Sequence, residues 1–216
     1  MTYSEIKTAC QTLYGNFVSS GGFVESDSGN PSELALLLHL MHGRIVGYPN
    51  EDFSFCQVTV TITSTGATTY NLKTLYPDFL TLIQVYGVNT NVEHQYYGNA
   101  EGNLTTLEGW TIKNGVLTFT GTVPSAGSTF KIQYKSQYLV ESSAGVRKRY
   151  FTEEDDVSVL SEADTGVIIF GIGAYVNWKS DEASSEKRKE TKDWFQEAWT
   201  NMLLRKEVSR PLTSFL

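Results

Sequence analysis

At 216 residues, with 40% apolar and 12% aromatic side chains, the chain can bury a sizeable core, which excludes disorder throughout. Its length allows one large domain or two small interleaved ones. Its 17 basic residues against 24 acidic ones give a net charge of -7, which disfavours a protein that holds nucleic acid by neutralising backbone phosphates. Cys10 and Cys56 stand in no CxxC and in no other spacing that a metal or disulfide framework needs, so both are expected as buried, reduced thiols. The N-terminus lacks the basic flank and uninterrupted apolar core of a signal peptide and reads as mature protein. The longest apolar run, residues 167–178, falls short of the roughly 18 residues that a membrane span requires.

In chain order, Thr2, Tyr3, Ser4 and Glu5 have the spacing of a capping box, so a helix is expected to follow. Ile6, Ala9, Cys10, Leu13, Tyr14 and Phe17 then fall on one helical stripe. Gly21 and Gly22 end it. Asn30, Pro31, Ser32 and Glu33 offer an N-cap, a proline at the first helical position and an acid in the first turn. The second helix is expected to run to about Gly43, with Leu34, Leu37, Leu38, Met41 and Ile45 as its apolar face. The two helices are expected to form an antiparallel pair.

After Tyr48 and Pro49 the period changes to two: Val58, Val60 and Ile62 alternate with threonines as a half-buried strand. Residues 69–72 and 79–85 read as two further strands. Asn114 and Gly115 mark a two-residue type I′ hairpin whose register pairs Ile112 with Leu117 and Trp110 with Phe119, placing all four on one face. Phe130, Ile132 and Tyr134 form one more one-sided strand, giving about six strands over residues 53–138. Ser161, Glu162, Ala163 and Asp164 make another capping box ahead of residues 167–178, a helix apolar nearly all round and dotted with glycines. The last helix, residues 181–206, is polar at first and then carries Trp194, Phe195, Ala198, Trp199, Met202 and Leu203 as one stripe.

The expected fold class is therefore α+β: a helical bundle from residues 1–48 and 150–207, an inserted antiparallel β domain over 49–149, and an extended tail over 208–216. Proline ends the last helix ahead of Leu212, Phe215 and Leu216, so the tail, Pro211 included, is expected to dock either on a neighbouring protein or back onto its own bundle.

Chemistry is sparse. His39 and His42 are three apart and could share a metal with His94, but no acid or cysteine sits beside them at ligand spacing. Glu153, Glu154, Asp155 and Asp156 read as a solvated acidic loop, and Arg147, Lys148 and Arg149 as a salt-bridged surface. Gly171-Ile172-Gly173 lies inside a helix rather than between strand and helix, the wrong context for a dinucleotide fingerprint. GxSxG, P-loop and HExxH motifs do not occur, so neither an enzyme nor a cofactor is expected. Tyr96, Tyr97 and Trp110 could be stacking platforms for a sugar, which makes a β-rich binding module, such as a carbohydrate-binding domain, the alternative reading.

The whole pattern carries a resemblance. Tyr48-Pro49-Asn50-Glu51-Asp52-Phe53-Ser54-Phe55, followed by a threonine-rich strand, resembles the start of the β region in tail adaptor (head-to-tail connector) proteins of short-tailed bacteriophages. Residues 110–119, with Pro124 and the strand ending in Tyr134, are similar to that family's segment of aromatic, hairpin, proline and strand. The acidic stretch 153–164, the glycine-containing apolar helix and the long charged helix are similar to its C-terminal half. The resemblance implies a non-enzymatic virion protein, made in the host cytoplasm and placed in the neck of the particle. It further implies a ring, of twelve copies in that family, between the portal protein and the tail nozzle or other tail proteins. DNA would pass through its channel without specific binding, and no membrane is involved.

Overall fold

The computed structural model describes residues 1–19, 31–48, 53–87, 109–120, 123–179 and 184–208. In chain order they form helices α1 (Tyr3–Ser19) and α2 (Glu33–Val46), strands β1 (Gln57–Thr63) and β2 (Thr69–Asn71), and the one-turn helix α3 (Leu72–Leu75). Strands β3 (Phe79–Gly87), β4 (Gly109–Lys113), β5 (Val116–Thr120), β6 (Thr129–Ser136), β7 (Val140–Glu141), β8 (Arg147–Lys148) and β9 (Val157–Ser158) follow. Helices α4 (Glu162–Lys179) and α5 (Ser185–Val208) close the order. The fold is α+β, with antiparallel sheets, and the chain divides into two compact units, Met1–Phe53 with Tyr138–Leu216, and Ser54–Gln137.

In the helical unit α1 starts as its sequence dictates. The Glu5 amide donates to Thr2 Oγ1 at 3.2 Å while the Thr2 amide donates to Glu5 Oε2 at 2.8 Å, so two donors at the helix end are satisfied reciprocally. Tyr3, Ile6, Cys10 and Tyr14 are buried. Leu13, expected on the same stripe, lies on its flank and is 53% exposed. At Tyr14 the backbone leaves helical geometry (φ -127°, ψ 25°), a kink in α1.

Helix α2 begins two residues later than expected: its cap is Ser32, whose Oγ accepts from the Ala35 amide at 3.1 Å, so Pro31 precedes the helix instead of opening it. The helix also runs past Gly43 to Val46.

The expected antiparallel pairing of α1 with α2 gives way to a different arrangement, in which α1, α2 and α5 each pack on α4. The reason lies in α4, which offers apolar surface on several sides and glycines where neighbours must come close. A Cβ at Gly173 would overlap the Tyr14 ring of α1, and one at Gly171 would come within 2.8 Å of Met41 Sδ from α2 and 3.2 Å of Phe195 from α5. Val167, Ile168, Ile172 and Val176 fill the rest of that core. The capping box at the start of α4 has one half of its usual form: Ser161 Oγ accepts from the Asp164 amide at 3.2 Å, but the Asp164 carboxylate binds the Ser161 hydroxyl at 2.5 Å rather than its amide.

Residues 138–158, expected inside the β insertion up to residue 149, belong to the helical unit. They form a small sheet in the order β8-β7-β9. Its outer strand bridges Thr2 through Val157, and the Tyr3 amide donates to the Asp156 carbonyl at 2.8 Å, which ties the segment to the start of α1.

The second unit packs two three-stranded sheets, β1-β6-β3 and β2-β5-β4, around one core. Alternation sets the pairing of β1 with β6: Val58 faces Tyr134, Val60 faces Ile132 and Ile62 faces Phe130. The hairpin β4–β5 has the register its turn demands, Lys113 opposite Val116, Ile112 opposite Leu117 and Trp110 opposite Phe119. Asn114 (φ 54°) and Gly115 (φ 81°) both take the left-handed conformation a type I′ turn needs. Tyr70, Phe119 and Phe130 meet edge to face with centroids 5.2–6.0 Å apart. The buried Tyr134 hydroxyl donates to the Asp78 carboxylate, 3.0 Å from each oxygen.

Candidate functional site

The acidic stretch is not uniformly solvated, a correction to its reading as an exposed loop. Asp156 is 1% exposed and organises its neighbourhood. Lys148 Nζ lies 2.8 Å from both carboxylate oxygens, and the amides of Thr152 and Glu153 donate to Oδ2 at 2.7 and 3.0 Å. Burial pushes the Asp156 pKa up, but the Lys148 hydrogen bonds, the two amides and the Lys148 charge outweigh it and hold the carboxyl below its ordinary range. This group ties Lys148, Thr152 and Glu153 to one buried carboxylate and so fastens the segment to itself. Arg147 pairs with Glu141 at 3.5 Å and Lys7 with Glu154 at 2.6 Å, so acids and bases of the two runs neutralise one another and a neighbouring helix.

Among the described residues the histidines do not assemble a metal centre. His39 stacks edge-on against Tyr150 with centroids 4.9 Å apart, and its pKa is lowered first by burial and then by the Arg149 charge. His42 is 1% exposed, 6.0 Å from the Phe151 ring, and burial lowers its pKa to about 3, so it is neutral. Among the described residues neither of its ring nitrogens has a hydrogen-bond partner. His94 lies outside the described residues. No three His, Cys, Asp or Glu side chains converge as metal ligands among the described residues. Cys10 and Cys56 are both buried, and burial raises the Cys10 pKa to about 12, which keeps that thiol protonated. Gly171 and Gly173 serve helix packing. Trp110 is 3% exposed, inside the core of the β unit, so it presents no face for a sugar; Tyr96 and Tyr97 lie outside the described residues.

What the helical unit does present is apolar surface. Leu13 on α1, Leu36 (42% exposed) and Leu40 (55%) on α2, and Trp194 (42%) and Leu204 (52%) on α5 stand in solvent. Two grooves flank α5. One, of about 690 Å³, lies between the end of α2 and α5, lined by Gly43, Arg44, Tyr48 and Trp199, with Tyr48 and Trp199 edge to face at 5.4 Å. The other, of about 480 Å³, runs between α1, α4 and α5 along Leu13, Gly166, Phe170, Trp194 and Ala198. Its far end carries Arg205, which binds the Asp164 carboxylate and the Ala163 carbonyl.

These surfaces were only half legible beforehand. Leu36 and Leu40 escaped notice because the run 34–41 is leucine-rich on more than one side. That excess itself, more leucine than one buried face can use, was the available signal. The tail residues expected to dock, Pro211, Leu212, Phe215 and Leu216, lie outside the described residues. No helix among the described residues is long and apolar enough to cross a membrane. No protein-family model matches the chain, and no curated protein matches it significantly.

Proposed function

We propose that this chain is a non-enzymatic structural subunit of a phage particle, a head-to-tail adaptor. It assembles into a ring, dodecameric as in the family it resembles, between the portal protein and the tail, and there extends the DNA channel. The observation that carries the reading is the apolar surface of the helical unit. Large apolar side chains on three helices stand in water, and two grooves with apolar walls flank α5, the kind of surface that neighbours cover in an assembly. The net charge of -7 supports it too, since an acidic wall lets DNA slide rather than adhere. The carbohydrate-binding alternative loses its one described platform with the burial of Trp110.

Electron microscopy of the purified chain, alone and mixed with portal protein, tests the proposal. Ring-shaped particles, free or seated on portal, are the expected result. A chain that stays monomeric and does not bind portal overturns it.

A further inference from the structure

We propose that the outer face of α2 in one copy docks into the furrow between α1, α4 and α5 of the next copy. Leu36 and Leu40 enter the furrow and Arg44 meets Glu197. The inference rests on the ring reading above and specifies the contact that builds the ring.

The ridge comes first. Leu36, Leu40 and Arg44 recur every four residues on the side of α2 opposite the buried Leu34, Leu38 and Ile45. The three positions form an exposed row of two leucines and a cation, about 12 Å long at ~1.5 Å per residue. The furrow matches it in kind and length. Leu13, Phe170 and Trp194 give it apolar walls, while Gly166 and Ala198 keep it open where larger side chains would fill it. Along α5 it extends from Trp194 to Arg205, about 16 Å by the same rise. Charge is complementary as well. Glu197 lines the furrow and Arg44 ends the ridge, both are exposed, and neither has an ion-pair partner within the chain among the described residues.

The occupant is a second copy because ridge and furrow belong to the same chain and are different surfaces. A two-fold axis through the ridge would set ridge against ridge and leave every furrow open, and one between ridge and furrow would end the assembly at a pair. A head-to-tail contact covers both surfaces on every copy, and head-to-tail contacts close into rings when the rotation permits.

Charge reversal tests the pairing. The full-length chain would be made as R44E, as E197R and as an equimolar mixture of the two, with L40D as an apolar control. Assembly would be read by sedimentation velocity across a wide concentration range, alone and with portal protein. Unchanged melting temperatures of the variants separate a lost contact from a lost fold.

Each charge variant, facing a like charge across the contact, is expected to assemble about tenfold more weakly than the wild type, and L40D at least as weakly. The mixture is expected to recover assembly, because alternating copies restore every opposite-charge contact. Recovery on mixing identifies a contact between copies, since a pairing within one chain gains nothing from a partner. Rings that form undiminished in R44E and E197R overturn this contact and leave the ring reading standing, as does an impairment that mixing fails to relieve. A wild-type chain that forms no ring alone or on portal overturns both.

Discussion

Replacing Asp156 by asparagine isolates the charge of the carboxylate that gathers Lys148 and the Thr152 and Glu153 amides. An asparagine of nearly the same size can turn its carbonyl oxygen toward the Thr152 and Glu153 amides, now 2.7 and 3.0 Å from Oδ2, and so keep those two bonds. Its amide nitrogen then replaces Oδ1 and faces the Lys148 ammonium, so the 2.8 Å contact to Oδ1 is lost and the one to Oδ2 becomes a bond to an uncharged carbonyl. A hydrogen bond to a charged group contributes about 1.5–3 kcal/mol. The Lys148 side chain is 25% exposed and recovers part of its hydration, so about 2 kcal/mol is expected, roughly thirtyfold in the folding equilibrium. Asp156→Ala also removes the acceptor of the Thr152 and Glu153 amides, whose bonds are part-buried, and should cost about 3 kcal/mol.

The pH dependence has a definite sign. The folded pKa of Asp156 lies below its ordinary 3.8, so its contribution is fully present above 3.8 and fades as the pH falls through the depressed folded value. The gap between wild type and D156N should therefore be constant at neutral pH and close in acid. Urea unfolding followed by tryptophan fluorescence measures it, because Trp194 and Trp199 report on the helical unit and Trp110 on the other. A cost below about 0.5 kcal/mol, within the ordinary range for surface changes, or a gap that persists unchanged into strong acid, would refute the reasoning.

Gly115→Ala should destabilise the β unit by about 1–2 kcal/mol, since φ of 81° disfavours any Cβ and the new methyl would meet Lys73 Cγ at 2.6 Å; Trp110 fluorescence in urea reads it. Gly173→Ala sets a helix-propensity gain of about 1 kcal/mol against an overpacking cost of about 1–3 kcal/mol from the buried Tyr14 ring. A net loss is expected in the wild type and a net gain in a Tyr14→Ala background, a sign change that a double-mutant cycle detects. His42→Leu should be nearly neutral at pH 7 but resist acid better. The folded imidazole pKa of about 3 lies below its ordinary 6.5, so wild-type stability drains away as pH falls from 6.5 toward 3 and that part of the loss disappears in the variant. Thermal melts across this pH range would show parallel curves if the idea were wrong.

Local chemistry decided what the sequence could reveal unaided. Asn114-Gly115 demands positive φ at two successive residues, and the alternation on either side leaves one register that puts Trp110, Leu117 and Phe119 inside, so the hairpin followed from ten residues. The capping box at Thr2–Glu5 and the threonine-rich strand β1 were legible for the same reason: their partners are a few residues away or their faces are defined by period alone. Tertiary structure decided the rest. Whether Asp156 is solvated or buried depends on Lys148, near in sequence but paired with it by no periodic pattern, and on the strand that returns beside Met1 and Thr2, a contact no short window of sequence contains. Helix α4 is apolar on every side, so its pattern said that it was enclosed without saying by what; the Tyr14 ring at Gly173, and Met41 and Phe195 at Gly171, made it the centre of the unit and separated α1 from its expected pairing with α2. The same packing used one face of α2 and left Leu36 and Leu40 in water, because a helix richer in leucine than its neighbours can cover must expose the surplus.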